Sequence, residues 1–222
     1  MWWWFFGGPK PKWVKRGKRL RSYKRRGQAD QIVLHESVTR TAAGAVKVLK
    51  RRKLGVHYSI DRDAEGTVRS HVPIARACSH AGAGHNHRSI AVEVINPYYA
   101  SRARPGDDIL SGVWVHKKEY ILPLESQMRS LYRLMIWLVI YADIDISFPG
   151  ISAGVMRWGR IKDHKVAGVM AHHRWAHADG CFPEAYLYCR SRGMDHEGAW
   201  NTTVKAAKAG KRKTRLVAED LA

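Results

Sequence analysis

Three short apolar runs carry or end in residues that bind metals or move protons, and this pattern narrows the folds open to the chain. Gln31-Ile32-Val33-Leu34 ends in His35, and Ser89-Ile90-Ala91-Val92-Glu93-Val94-Ile95 holds one carboxylate. Val166-Ala167-Gly168-Val169-Met170-Ala171 leads into His172 and His173. The first two runs read as strands buried on both faces, because they are short, β-branched and continuous. Val56-His57-Tyr58-Ser59-Ile60 alternates like a strand, and Thr67 to Val72 returns as its hairpin partner across the turn at residues 61–66.

Between these strands lie helical patterns. Thr41 to Leu54 places Ala42, Ala45, Val46 and Leu49 on one face, with Lys47 and Arg51 facing out and Gly55 as the stop. A longer amphipathic helix is expected from Leu124 to Tyr141, with Leu131, Leu134, Met135, Leu138 and Val139 on its buried side. Pro183 to Arg192 reads as a terminal helix, and Phe148-Pro149-Gly150 as a sharp turn. Residues 97–122 show no period and read as a long connection with a short strand at Gly112 to His116. Strands that alternate with helices, one pair forming a hairpin, predict an α/β fold: a mixed central β-sheet flanked by helices.

The 222 residues, 45% of them hydrophobic, suffice for one good core and one domain with extensions. The net charge of +20 is unevenly spread. Residues 1–30 hold ten Lys/Arg and one Asp, residues 201–222 hold six Lys/Arg and two acids, and about +7 is left for the middle. The expected organisation is therefore a mobile, Trp-rich basic arm over 1–30, a domain over 31–195 and a basic tail over 196–222. The tip Met1-Trp2-Trp3-Trp4-Phe5-Phe6 with its basic sequel suits an anionic envelope or membrane surface, or simply a solvated tail. Three cysteines make no disulfide framework. No secretory signal is recognisable, so the expectation is a cytoplasmic site of synthesis with action after release. The run Leu134 to Ala142 is nine residues, about half a membrane span.

All 12 histidines fall between His35 and His196, none in the basic ends. A solvated surface gives no reason for that concentration; a metal and proton-transfer centre does. His35 ends a buried strand, where ligands collect in open α/β sheets, although a core histidine bonded to a carbonyl fits as well. Being neighbours, His172 and His173 point in different directions from extended backbone, so one of them faces a site. Asp179 and Cys181 follow, both able to bind zinc, with Gly180 between them to turn the chain. A catalytic zinc takes three protein ligands and leaves a fourth position for water. Glu93 is a lone carboxylate in a buried strand, costly unless it is paired, for example with Arg88, or at work as a general base. His80 lies in the glycine-rich loop Cys78-Ser79-His80-Ala81-Gly82-Ala83-Gly84 and suits a ligand contact. Of His57 and Tyr58, one faces the core and the other is free to line a cleft. His85, His87, His116, His164 and His196 read as solvent or loop residues.

In order, these pieces resemble the zinc-dependent N-acetylmuramoyl-L-alanine amidases, the family of phage endolysins and peptidoglycan-recognition proteins. The matching segments are Ile32-Val33-Leu34-His35-Glu36-Ser37, then His57-Tyr58-Ser59-Ile60-Asp61-Arg62-Asp63 with Gly66-Thr67-Val68. They continue with His80-Ala81-Gly82, Asn86-His87-Arg88-Ser89-Ile90-Ala91-Val92-Glu93 and His172-His173-Arg174-Trp175-Ala176-His177-Ala178-Asp179-Gly180. The resemblance spans roughly residues 31–190. It implies zinc on His35, His172 and Asp179, with Cys181 as the alternative third ligand. It further implies Glu93 as general base, His177 where the family has an oxyanion-stabilising Lys, and Tyr58, His80 and Asn96 as substrate contacts. His177 and Gly180 depart from the family's Lys and Pro. The implied reaction is hydrolysis of the amide between N-acetylmuramic acid and L-alanine in peptidoglycan. Two other readings remain: a peptidoglycan-binding module that does not cut, and a basic nucleic-acid binder, disfavoured because the charge lies mainly in the ends.

Overall fold

The computed structural model describes residues 11–111, 119–152, 154–157, 165–172, 179–209 and 213–215. Two short strands come first, Lys15–Arg16 (β1) and Tyr23–Lys24 (β2), then Gln31–Glu36 (β3) and the helix Ala42–Arg51 (α1). Tyr58–Ile60 (β4), Val68–Ser70 (β5) and Arg76–Ala77 (β6) precede a single turn of helix, Ala83–Asn86 (α2), and Ser89–Val94 (β7). Ile109–Ser111 (β8) and Glu119–Ile121 (β9) form a small hairpin before the long helix Glu125–Ala142 (α3). Ile151–Ser152 (β10), Val155–Arg157 (β11) and Gly168–Ala171 (β12) lead to helices Cys181–Ser191 (α4) and His196–Ala209 (α5), and Lys213–Arg215 (β13) pairs with β11.

The central sheet runs in the order β1-β5-β4-β7-β3-β12. Strands β4, β7, β3 and β12 are parallel neighbours, and β5 is antiparallel to β4. The fold is thus the mixed sheet with flanking helices that the pattern predicts. Helix α1 starts where Thr41 accepts a hydrogen bond from the Gly44 amide, the capping role suited to its short polar side chain. Helix α3 is fixed to the sheet by Gln127, whose amide donates to the carbonyls of Ile60 and Ile95.

Because successive strand residues face opposite ways, each central strand serves two purposes. Ile32, Leu34, Ile90, Val92, Val94 and Ile60 join the core under α3, α4 and α5. Val33, Ala91 and Met170 lie on the other face, toward α1 and the loop after β6, alongside the polar residues of the site.

Two boundary expectations are corrected. Residues 11–30 are not a mobile arm: β1 extends the sheet beside β5, β2 pairs with β6, and Val14 and Leu20 are buried. Leu20 packs with Val46, Val56 and Val72. Arg25 donates to the carbonyls of Ile74, His87, Arg76 and Ser89 and contacts His57 Nε2. A guanidinium with five donors can satisfy that many acceptors from one point, which is what locks the segment down. Likewise, the expected tail contains α5, which packs on α4 and buries Ala199, Thr203, Ala206 and Ala207. The strand expected at Gly112 to His116 lies outside the described residues; β8 and β9 flank that stretch.

Candidate metal centre

Register assembles the site. His35 on β3 lies directly beside Glu93 on β7, and β12 pairs with β3 up to Ala171↔Leu34. The next amide, His172 N–H, bonds to Leu34 O at 2.8 Å, so His172 extends β12 beside His35. Glu93, His35 and His172 therefore follow one another across three adjacent parallel strands, at their carboxyl ends. Asp179 reaches the same point from the turn before α4. Gly180 makes that turn possible: its φ is +81°, and a Cβ there would lie 2.1 Å from Leu34 O.

One ligand atom each from His35, His172 and Asp179 lies within 4.8 Å of the others. His172 Nδ1 is 2.9 Å and His35 Nδ1 3.8 Å from Asp179 Oδ2. Asp179 Oδ1 is occupied by the Glu36 amide at 2.7 Å, which leaves Oδ2 turned to the two imidazoles. Two imidazole nitrogens and one carboxylate oxygen are a donor set that suits zinc with an open fourth position. All three residues and Glu93 line a cleft of about 570 Å³ that continues along α1 past Leu49 and Arg52.

Burial shapes the acid–base character of the group. Burial and the nearby Asp179 and Glu36 push the Glu93 carboxyl up to about 8. Burial also raises Glu36 to about 8, against hydrogen bonds from Asn96 and Tyr120. Burial alone would raise Asp179 too, but the His172 and His35 imidazoles outweigh it and hold that carboxyl well below the usual range. Burial lowers the His35 imidazole, so its neutral, metal-binding form is favoured.

The expected residues divide into those that gather and those that do not. His35, His172, Asp179 and Glu93 come together. Arg88 pairs with Asp30, so Glu93 is not held by the arginine that a structural role would supply. The alternative ligand Cys181 is fully buried in the core at the start of α4, outside the cluster of ligand atoms. Tyr58 faces the opposite side of the sheet, packed against Trp137, and does not line the cleft. Asn96 is fully buried and donates to Glu36 and to Ile121 O, so it supports the site from behind. His80 lines the cleft, but both of its ring nitrogens are engaged, by His35 and Ser89. His57, the partner of Tyr58 in the strand, is buried over Arg25, and burial lowers it to about 3. His85, expected in solvent, is buried against Gln31. His177, His173, His116 and His164 lie outside the described residues.

Sequence reasoning missed Glu36. Its carboxylate accepts from Asn96, Tyr120 and the Gly180 amide, so it ties β3 to the turn that carries Asp179. The signal was present: a carboxylate next to His35 in an apolar strand, the argument applied to Glu93.

A profile for the family described as N-acetylmuramoyl-L-alanine amidase matches residues 25–183, and the chain belongs to that family. Among solved structures it is similar to the N-acetylmuramoyl-L-alanine amidase LysC from Clostridium intestinale URNW, with 17% identity over 73% of this chain and 83% of that one, and a TM-score of 0.45. It is similar to Staphylococcus aureus hydrolase AmiA, with 14% identity, 90% and 83% coverage and a TM-score of 0.49. Drosophila peptidoglycan recognition protein SA follows with 12% identity, 70% and 74% coverage and a TM-score of 0.41. Among curated proteins, none is a significant match. Among the described residues, no helix is long and apolar enough to cross a membrane.

Proposed function

We propose that the chain is a zinc amidase that cleaves the bond between N-acetylmuramic acid and L-alanine in peptidoglycan. The observation that carries this reading is the convergence of His35, His172 and Asp179 in one cleft with Glu93, a buried carboxyl that has no hydrogen-bond partner among the described residues. His35, His172 and Asp179 would hold the metal. Bound zinc would supply Lewis acidity toward the scissile carbonyl and toward water.

The remaining work falls to the protein. Glu93 lines the cleft on the strand next to His35. Its raised proton affinity suits it to take a proton as water attacks the carbonyl carbon. As the carbon–nitrogen bond breaks, the same carboxyl returns that proton to the departing L-alanine amine. Glu36 and the Gly180 turn keep Asp179 in place throughout. The cleft past α1 offers room for the stem peptide.

The test is release of new amino groups from purified peptidoglycan, with and without chelator, alongside zinc content. Chelator-sensitive release is expected. Wall binding without release would indicate a recognition module, and no wall binding would sink both readings.

A further inference from the structure

We propose that His80 and Ser89 are positioning residues that fix the tautomer of His35, and so present its Nδ1 lone pair to the metal. This rests on the reading of His35 as a zinc ligand. Hydrogen-bond direction along the relay is set from its far end, a backbone carbonyl oxygen, which can only accept.

The Ser89 hydroxyl lies 2.6 Å from the His85 carbonyl oxygen, which must accept, so the hydroxyl proton is committed there. The His80 Nε2 to Ser89 Oγ contact of 2.9 Å must then run the other way, with Nε2–H donating into an oxygen lone pair. A neutral His80 that carries its proton on Nε2 has an unprotonated Nδ1. That Nδ1 lies 3.0 Å from His35 Nε2, so it accepts from His35 Nε2–H. His35 Nδ1 is left with its lone pair, and it is the atom that faces Asp179 and His172. Every link is determined by the carbonyl at the far end.

The relay is itself well anchored. Asn86 Oδ1 accepts from the amides of His80 and Ala81, which pins the loop that carries His80. His85 Nδ1 contacts Gln31 Oε1 at 3.0 Å, and the His85 carbonyl also accepts from the Arg88 amide. Ser89 is fully buried at the start of β7, on the face of the sheet that carries Glu93. Partners that orient a ligating histidine commonly change metal affinity by about 10–100-fold when removed. Here the partner is a second histidine that is oriented in turn by a serine.

The experiment uses the full chain with Ser89→Ala, His80→Leu and His80→Gln. The zinc dissociation constant is measured by competition with a chromophoric chelator, and the His35 tautomer by nitrogen-15 NMR of the metal-free protein. In the parent chain His35 should be protonated on Nε2. Ser89→Ala and His80→Leu should weaken zinc about 10–100-fold. In both, the His35 signal should become a mixture of tautomers. Glutamine can accept through Oε1 and donate through Nε2, so His80→Gln should recover most of the affinity lost in His80→Leu. Thermal unfolding of each variant separates loss of fold from loss of orientation. Unchanged zinc affinity and an unchanged tautomer in folded Ser89→Ala and His80→Leu would overturn the proposal, as would a parent His35 protonated on Nδ1. A parent chain that binds no zinc but keeps the Nε2–H tautomer would sink the zinc reading and leave the relay intact.

Discussion

The two faces of β3 and β7 are built from the same twelve residues and do opposite things. On one face Ile32, Leu34, Ile90, Val92 and Val94 are buried against α3 and α4 and contribute only packing. On the other, His35 and Glu93 line a cleft with lowered and raised proton affinities, and the fully buried Ser89 beneath it bonds to His80. A strand's period of two makes this division possible without a separate element for each task. The comparison teaches that the site's position is set by register, while its stability is supplied from the far side of the sheet.

The division is breakable. Glu93→Gln should leave the fold intact and lower peptidoglycan cleavage by about 10²–10⁴-fold, the usual share of a general base; rate and thermal unfolding measured on the same sample check it. Asp179→Ala should reduce zinc affinity by at least about a hundredfold, whereas Cys181→Ala should cost stability and leave zinc affinity unchanged. Equal losses of zinc in the two variants would bring the cysteine back as a ligand. Ile90→Ala, one residue from Ser89 but on the packing face, should cost about 2–5 kcal/mol in denaturant unfolding with little change in zinc affinity.

Smaller effects sharpen the picture away from the centre. Arg25→Ala should destabilise by about 2–4 kcal/mol, because it strips several part-buried carbonyls of their donor and frees the segment that packs Leu20. Protease cleavage within residues 11–24 should accelerate in parallel. Glu184 is fully buried, neither carboxylate oxygen has a partner at hydrogen-bond geometry among the described residues, and burial raises it from 4.5 to about 8 against a weaker contribution from the Ala171 backbone. Its neutral form is the one the fold accommodates. The stability it permits is therefore complete below about pH 4.5 and declines as pH rises toward 8. Glu184→Gln should lessen that decline, with Glu36 and Glu93, raised likewise to about 8, supplying the rest, read as the difference in unfolding free energy between pH 5 and 8.

Much of this was legible in the residues. The β-branched runs at 31–34 and 89–95, the hairpin at 56–72 and the α1 and α3 patterns all appear where periodicity placed them. That His35, Glu93 and His172 gather was foreseeable because a polar residue that ends or interrupts a buried strand is expensive, whereas Asp179 was singled out by its spacing from His172 and by the family resemblance. The N-terminal wrap was not legible. β1 and β2 are two-residue edge strands with polar side chains, and the half-buried Arg25 stands in a run of arginines and lysines that all look alike. Helix α5 was hidden by its alanine- and lysine-rich composition, which reads as a tail until α4 supplies a surface for it. Tyr58 and Asn96 were misplaced because sequence alone does not say which face of the sheet will carry the cleft.

The most direct measurement is zinc content and amine release on one preparation each of the parent chain and Glu93→Gln. The account predicts one zinc per chain in both and cleavage of peptidoglycan by the parent alone. A parent chain without zinc, or a Glu93→Gln chain that cleaves as fast as the parent, would contradict it.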